Sequence, residues 1–491
     1  MKSIFYSAYY ILFAALLFSA TYSCQKIEFE SPDNLDISYS TDTLTFDTVF
    51  TQVGSTTKYL KLYNNGNKYA RIDEIKLENE FSPFRFNVDG LTGNTVYDVE
   101  IPPNDSIYIF VEVTVDPDLP ISESPFIILE NLIINTGVKT DRVVLTAWGQ
   151  NANYVPALTS KRKQSLVTCD MGDWVWDDPK PYVIYGVLIV DSCNLVIPAG
   201  TEVYIHGGLV KDGQTSYQDG VLYIAKNGSL EINGSREKPV TISTDRLEED
   251  YQTYVAQWGR IQLGPESKNN RISYTRILHG GIGILVDSLA QLNIDHSIIG
   301  FNGEASLASY RGIVFADNCL FHSAAGYNLS LTLGGFYRFR HCTFANAGFG
   351  REAVYMRNFH CFDSECNHAV AAALNIEMEN CILYSNQTDA LVMQNGLEDP
   401  SFFKVKFSNS LIRAKDLISE DEYPNFFVDQ PSNMNYENHE ALFYDINNYN
   451  FSLDSLSVAK DKGMTIPEIS DDLIGNQRDA LPDLGAYELI D

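Results

Sequence analysis

Five short segments share one pattern at a nearly constant spacing, and this restricts the fold more than any other feature. They are Asp295-His296-Ser297-Ile298-Ile299, Asp317-Asn318-Cys319-Leu320-Phe321, Arg340-His341-Cys342-Thr343-Phe344, Glu379-Asn380-Cys381-Ile382-Leu383 and Ser408-Asn409-Ser410-Leu411-Ile412. Ser297 to Cys319 is 22 residues and Cys319 to Cys342 is 23. Tyr274-Thr275-Arg276-Ile277-Leu278 precedes them in the same frame, 21 residues before Ser297. A fixed period of this length marks a solenoid, in which each repeat stacks on the next. Strand-length apolar pieces fill the period, so the solenoid is built of β-structure. Equivalent residues then form ladders at sheet spacing: Asn or His on a turn, Ser or Cys next, apolar groups inward. The gaps from Cys342 to Cys381 (39) and from Cys381 to Ser410 (29) imply loops inserted into single coils. Inserted loops on one face of a solenoid are a common place for ligands to bind.

The same texture begins earlier. Val187–Val190, Leu195–Ile205, Leu222–Ala225, Gly228–Gly234, Pro239–Ser243 and Trp258–Leu263 are short β-rich runs punctuated by Gly and Asn. Residues 156–491 resemble a right-handed parallel β-helix. The end of the chain, from Asp472 through Gly475-Asn476-Gln477-Arg478 to Pro482-Asp483-Leu484-Gly485-Ala486-Tyr487-Glu488, resembles the terminal motif of choice-of-anchor Q proteins, secreted bacterial β-helices. The resemblance implies a structural cap, with Arg478 pairing to Asp483 or Glu488 while it closes the last coil.

Residues 36–152 read differently. Thr57–Tyr63 alternates with period two and meets the turn cluster Asn64-Asn65-Gly66-Asn67. Ile72, Ile75 and Leu77 start another strand, Ile107–Val115 ends at Asp116-Pro117, and Val143–Gly149 closes the unit. Short strands at regular spacing with such turns predict a β-sandwich. Leu62-Tyr63-Asn64-Asn65-Gly66, Ile101–Ser106 and Ala147-Trp148-Gly149 resemble immunoglobulin-like ASH and choice-of-anchor modules. The expected fold class is therefore all-β, an N-terminal immunoglobulin-like β-sandwich followed by a right-handed parallel β-helix with a C-terminal cap.

The first residues have the layout of an export signal. Lys2 is positive, Tyr9–Phe18 is apolar but short for a membrane span, and small residues lead to Cys24. Thr21-Tyr22-Ser23-Cys24 resembles a lipobox, which implies a signal peptide over 1–23, a lipid on Cys24 and a tether over 24–35. An ordinary signal peptide with a free Cys24 is the alternative. Gln25-Lys26-Ile27-Glu28-Phe29-Glu30 resembles the export signal of Bacteroidota surface lipoproteins. Asp-Ser/Thr-aliphatic triplets resemble O-glycosylation sites of that phylum and nominate Thr43, Thr48, Ser106, Ser288 and Ser455. The address so implied is the outer membrane, lipid-anchored, on its periplasmic side or at the cell surface. The net charge of −29 repels phosphate backbones, which argues against nucleic acid as a partner. Its plain reading is solubility, and clustered carboxylates leave calcium as the one cofactor to consider.

An exported chain can form disulfides. Cys361 with Cys366 and Cys169 with Cys193 are the candidate pairs. A zinc site made from His360, Cys361, Cys366 and His368 is the alternative for the first pair, without the usual ligand spacing. Cys319, Cys342 and Cys381 read as reduced ladder residues. Lyases of acidic polysaccharides need an Arg or cation and a base, and hydrolases need two carboxyl groups. Arg338, Arg340 and His341 are the candidates for such chemistry, with His296, His322, Glu377 and Glu379 nearby; no full catalytic set accompanies them, and turn-ladder His and solvated strand charges are the plainer reading. Trp174, Trp176, Tyr251, Tyr254 and Trp258 are suited either to stacking on sugars or to capping the first coils. Three functions follow: a non-catalytic envelope lipoprotein binding a glycan or protein partner along the β-helix, a polysaccharide lyase or glycoside hydrolase, and a passive structural or adhesive surface protein. The first leads, because the architecture is clear and the catalytic set is incomplete.

Overall fold

The computed structural model describes residues 27–50, 55, 57–115, 126–155, 164–212, 215–248, 251–348, 350–363, 365–397, 399–419, 423–436 and 441–490. They fall into two compact units, Met1–Asn151 and Ala152–Asp491.

The first unit is a sandwich of two five-stranded sheets. One sheet orders Ile37–Tyr39, Lys58–Asn64, Ser106–Val113, Phe84–Val88 and Leu91–Gly93; the other orders Thr43–Phe50, Thr140–Gln150, Phe126–Asn135, Ala70–Leu77 and Thr95–Ile101. Period-two alternation turns Leu60, Leu62, Ile107, Ile109 and Val111 into the shared core and leaves Tyr59, Tyr108 and Phe110 outside. Ile72 and Ile75 are both buried although three residues apart, which breaks that alternation. The break faces Asp98, whose backbone is left-handed (φ 53°), and the pairing keeps the same register on both sides of it.

The second unit is a parallel β-helix of three long sheets. In one coil the chain passes through Thr275–Leu278 (sheet I), Ile282–Val286 (sheet II) and Gln291–Asp295 (sheet III), then returns to sheet I at Ile298–Gly300. Every strand pairs in parallel with its equivalent in the next coil, giving 11 strands in sheet I and 9 each in sheets II and III. On sheet II the ladder Leu188, Leu222, Ile261, Ile284, Leu307, Leu329, Val354 and Leu391 runs inward and is fully buried.

The turn from sheet III to sheet I explains the repeated motif. His296, Asn318, His341, Asn380 and Asn409 all have left-handed backbones, with φ from 44° to 54°. Asn tolerates that region best among residues with a side chain. Each turn N–H donates to the next coil: His296 to the Asp317 carbonyl (3.2 Å), Asn318 to Arg340 (3.0 Å), His341 to Glu379 (2.9 Å) and Asn380 to Ser408 (3.0 Å). The following small residue points inward and donates to the carbonyl two residues back. Ser297 does so at 2.7 Å, Cys319 at 3.2 Å, Cys342 and Cys381 at 3.4 Å and Ser410 at 3.1 Å. The motif therefore needs a small donor, and Ser and Cys are the residues present. The frame of the first repeat needs correcting by one residue: Tyr274 holds the turn (φ 44°), and Thr275 is the small donor, at 2.9 Å to the Ser273 carbonyl. Thr275, not Arg276, is the equivalent of Ser297.

The insertions fall at two corners. The 39-residue gap holds the hairpin Phe359–Cys361 with Ala369–Ala371, between sheets II and III. The hairpin Leu209–Asp212 with Thr215–Gln218, between sheets I and II, was not evident from the repeat spacing.

The C-terminal motif does not close the last coil. Its open end is covered instead by Leu417, Ile418, Tyr423, Phe426 and Phe427, which pack on the main core. Residues 441–490 lie along the outside of sheet I, because that face is apolar from Ile298 onward and would otherwise be wet. Phe451, Leu473 and Ala486 pack on Leu320 and Ala345, and Leu442, Leu453, Ala459 and Leu484 pack on Ile382 and Leu411. The segment is also bonded to the turn column. Asn318 donates to the Asp471 carbonyl (2.8 Å), Asn380 exchanges bonds with the backbone of Met464 (2.7 and 2.9 Å), and Ala486 N–H donates to Thr343 Oγ1 (2.9 Å).

Arg478 anchors this clasp. Its side chain, 3% exposed, donates to Glu488 (3.0 Å), Asn318 Oδ1 (2.9 Å) and the carbonyls of Asp471 (3.1 Å) and Gly485 (3.0 Å). Removing one partner of a buried ion pair leaves the other charge uncompensated, at a cost of about 3–5 kcal/mol. Arg478→Ala is therefore expected to lower stability by that amount, with Arg478→Lys in between because it keeps the charge but loses the fork. Denaturant melts of the three proteins check this; an unchanged midpoint in the Ala variant contradicts the clasp.

Candidate functional site

The residues nominated for chemistry do not form a reactive group. Arg340 is held in a two-pronged pair with Asp317 (2.7 and 2.7 Å), with Glu468 at 3.7 Å. Arg338 lies over the Phe315 ring at 4.9 Å and pairs in register with Glu377, as Arg340 does with Glu379. His341 is fully buried in the turn column, its Nε2 2.8 Å from Asn380 Nδ2, beneath the C-terminal clasp. No substrate reaches it there. His296 stands in the same column, but His322 does not: it ends a sheet I strand and packs against Phe301 and Phe451. The period suggested one polar edge, whereas these histidines occupy two corners.

The other candidates sort by burial. Trp176 stacks on Tyr182 (4.5 Å) and meets Trp174 edge-on (5.3 Å), closing the first coil. Trp258 is buried and donates to the Leu278 carbonyl at 2.8 Å. Tyr251 faces Arg246 (3.7 Å), and Tyr254 is exposed. The structure joins Cys361 to Cys366 and Cys169 to Cys193, and leaves Cys319, Cys342 and Cys381 free and buried. His360 packs on Tyr310 and Phe362, and His368 lies 3.2 Å from Asp363, so the hairpin histidines have other partners than a zinc ion. Among the described residues no three His, Cys, Asp or Glu side chains converge as a metal-ion site. Thr43 and Ser455 are exposed, and Ser106 and Ser288 are half-buried; Cys24 and the Thr48 side chain lie outside what is described.

A different group does converge, on the outside of sheet II. Strand alternation turns outward the ladder Ile189, Tyr223, Gln262, Leu285, Ala308, Ser330, Tyr355 and Val392. Beside it, Tyr310 pairs with Thr332, and Arg357 with Gln394. The Tyr310 hydroxyl lies in the field of four charges. Burial raises its pKa, Glu304 and Asp287 add to the rise, and Arg357 and Arg260 oppose it. Tyr310 thus stays a protonated phenol, a hydrogen-bond donor, at any working pH. Gln262 sits between two of the charges: Arg260 Nε donates to its Oε1 (2.8 Å), and its Nε2 donates to Asp287 (2.7 Å). Tyr327 and Tyr355 stack at 5.0 Å, Tyr355 donates to Gln394 (2.9 Å), and Arg351 donates to the Tyr327 hydroxyl (3.1 Å). The disulfide-closed hairpin borders the group, His360 meeting Tyr310 edge-on at 6.3 Å. Flat rings beside side chains that both donate and accept are the components of a sugar-binding surface.

The sequence reading missed this group because it aligned only the sheet III to sheet I corner. The signal was present: Asp287, Tyr310, Thr332 and Arg357 recur at intervals of 23, 22 and 25 residues.

No family model matches the chain. No curated protein matches it either. Among solved structures, a protein of unknown function from Porphyromonas gingivalis is 15% identical over 26% of this chain and 51% of that one, with a TM-score of 0.18. The chain thus spans about half the length of that protein. The ASH / PapD-like domain of human CEP192 is 11% identical over 27% of this chain and 97% of the domain, with a TM-score of 0.17. The catalytic domain of a GH87 alpha-1,3-glucanase in complex with nigerose is 12% identical over 73% of this chain and 81% of that one, with a TM-score of 0.21. None of these likenesses carries an activity to this chain.

The histidines have a measurable consequence. Burial lowers the pKa of His279 and His341, and lowers that of His322 to about 3. The unfolded chain therefore binds protons that the native state refuses, and the stability these groups give above about pH 6.5 falls as the pH drops. His296 acts in the opposite sense: burial pulls its pKa down, but the carboxylates of Asp295 and Asp471 outweigh it and leave the pKa raised. The contribution of His322, whose shift is large, should therefore fall between pH 7 and pH 5. Changing His322 to Gln should flatten that drop by about 2 kcal/mol. Denaturant melts at the two pH values check the difference, and an equal slope in both proteins contradicts it.

Proposed function

We propose that the protein is a lipid-anchored envelope lipoprotein that binds a glycan along the outside of sheet II without cleaving it. The anchor rests on the export signal and Cys24. The binding face rests on one observation: Tyr310 lies among Arg260, Arg357, Asp287 and Glu304, next to the stacked pair Tyr327 and Tyr355. Such a group offers ring faces for the apolar side of a sugar and both donors and acceptors for its hydroxyls. The other two outer faces offer less. Sheet I is covered from Ile298 onward by the C-terminal segment, and on sheet III Arg340 and Arg271 are engaged by Asp317 and by Asp295 (3.8 Å) on neighbouring strands.

A second reading, glycoside hydrolysis, draws on the two carboxylates Asp287 and Glu304 beside the same tyrosine. Hydrolysis needs two such groups flanking the scissile bond.

Affinity electrophoresis against a panel of neutral and acidic polysaccharides tests the proposal. Retardation of the wild type is expected, with Tyr310→Ala and Tyr355→Ala each weakening it about 5- to 30-fold, the loss of one stacking or hydrogen-bonding contact. Unchanged retardation in both variants removes sheet II from the binding role. Release of reducing ends that is lost in Asp287→Asn replaces binding with hydrolysis.

A further inference from the structure

The sandwich carries rings of its own on the outer face of the sheet that holds Lys58–Asn64, Ser106–Val113 and Phe84–Val88. Strand alternation turns Tyr59, Tyr108 and Phe110 outward, and they stay 54%, 40% and 41% exposed. Register makes them neighbours: Tyr59 lies opposite Phe110, and Lys61 opposite Tyr108. The Tyr108 and Phe110 rings are nearly parallel, at 10° with centres 5.7 Å apart. Tyr59 meets both edge-on, at 5.2 and 6.3 Å. Lys61 lies over the Tyr108 ring at 4.5 Å. Single exposed rings are ordinary, but rings gathered on one face mark a binding surface.

The next positions of the same face open into a groove of about 650 Å³, a volume within the range of small-ligand sites. Phe110 is its aromatic wall, and Thr57, Arg85, Asn87, Thr92 and Glu112 supply polar ones. Register explains the arrangement. Asn87 lies between Phe110 and Thr92, and Arg85 lies opposite Glu112. Along their shared strand Tyr108 precedes Phe110 and Glu112 follows it, so the row of rings ends where the groove begins. We propose that this groove binds a neutral oligosaccharide, with one sugar packed on Phe110 and its hydroxyls bonded to the polar walls. Arginine donates, glutamate accepts, and Asn and Thr do both, which suits hydroxyls that themselves donate and accept. Charge selects a neutral occupant. Arg85 and Glu112 stand side by side with opposite signs, so an anion meets Glu112 and a cation meets Arg85. The groove belongs to the first unit and sheet II to the second, so each face stands or falls by itself.

Calorimetric titration of the intact protein in a Tyr355→Ala background tests this, because that change removes the sheet II contact whether or not sheet II binds. The probes are neutral hexasaccharides of glucose, mannose, xylose and galactose, with a uronate hexamer beside them. At least one neutral hexamer is expected to bind, and more tightly than the uronate. Phe110→Ala and, on the facing strand, Arg85→Gln should each weaken it about 5- to 30-fold, the loss of one stacking or hydrogen-bonding contact. Circular dichroism identifies a variant that fails to fold, and the other variant then carries the test; Tyr310→Ala serves as the background if Tyr355→Ala does not fold. Binding that both folded variants leave unchanged overturns the inference, as does a uronate bound more tightly than every neutral hexamer. If the wild type binds a hexamer and the background binds none, sheet II is the site and the groove is not. If no sugar binds either protein and Phe110→Ala instead abolishes capture of an envelope protein, the face docks a protein and the inference falls. If nothing binds at all, it falls as well.

Discussion

The second unit depends on one backbone constraint, a left-handed residue that carries each coil from sheet III to sheet I. A right-handed residue at that point would carry the strand past the corner. The conformation is costly for most side chains, and Asn bears it best. The cost is offset because the N–H groups of His296, Asn318, His341 and Asn380 each meet a carbonyl of the next coil, that of Asn409 meets the Ser432 hydroxyl, and every following small residue donates to the carbonyl two positions back. His296, Asn318, His341 and Asn380 therefore stack as a column, with Asn318 Nδ2 3.2 Å from His296 Nε2 and Asn380 Nδ2 2.8 Å from His341 Nε2. The column then presents side-chain amides in a row, and the C-terminal segment binds to that row.

Once the coils are fixed, the three outer faces divide the work. Sheet I is apolar and needs a cover, which the clasp provides through Phe451, Leu473 and Leu484. On sheet III Arg340 and Arg271 are engaged by carboxylates of neighbouring strands. Sheet II bears aromatic rings and a bordering hairpin closed by Cys361 and Cys366. In the proposed role its side chains, positioned by strands on a packed core, would capture a ligand at little ordering cost.

The repeat was legible because the turn chemistry is strict: only a few residue types fit a left-handed corner followed by a small inward donor. The frame was wrong by one residue at Tyr274 because Tyr in a left-handed turn is unusual and Thr275 passed for the turn position. The inward ladders and the large insertion were also legible, since gaps in a period can only be loops. The clasp was not. The motif around Arg478 signalled closure, but whether it closes the end or the side depends on which face stays apolar, and that is visible only after the coils are stacked. Sheet II was missed for a related reason. Its outward residues, Tyr223, Gln262, Leu285, Ala308, Ser330 and Tyr355, share no chemical type, so only the spacing of positions such as Asp287, Tyr310, Thr332 and Arg357 marks the face along the chain. Arg340 and His341, consecutive at one corner, are engaged by Asp317 and enclosed by the clasp, in keeping with the plainer of the two readings their sequence allows.

The central claim is that residues 160 positions apart, Asn318 in the turn column and Arg478 in the clasp, touch and stabilise each other. A double-mutant cycle measures this directly: the unfolding free energies of the wild type, Asn318→Ala, Arg478→Ala and the double variant. Groups in one hydrogen-bonded network couple by about 0.5–3 kcal/mol, whereas distant sites add. The stacked-coil account predicts a coupling of at least about 1 kcal/mol. Simple additivity of the two losses would contradict it.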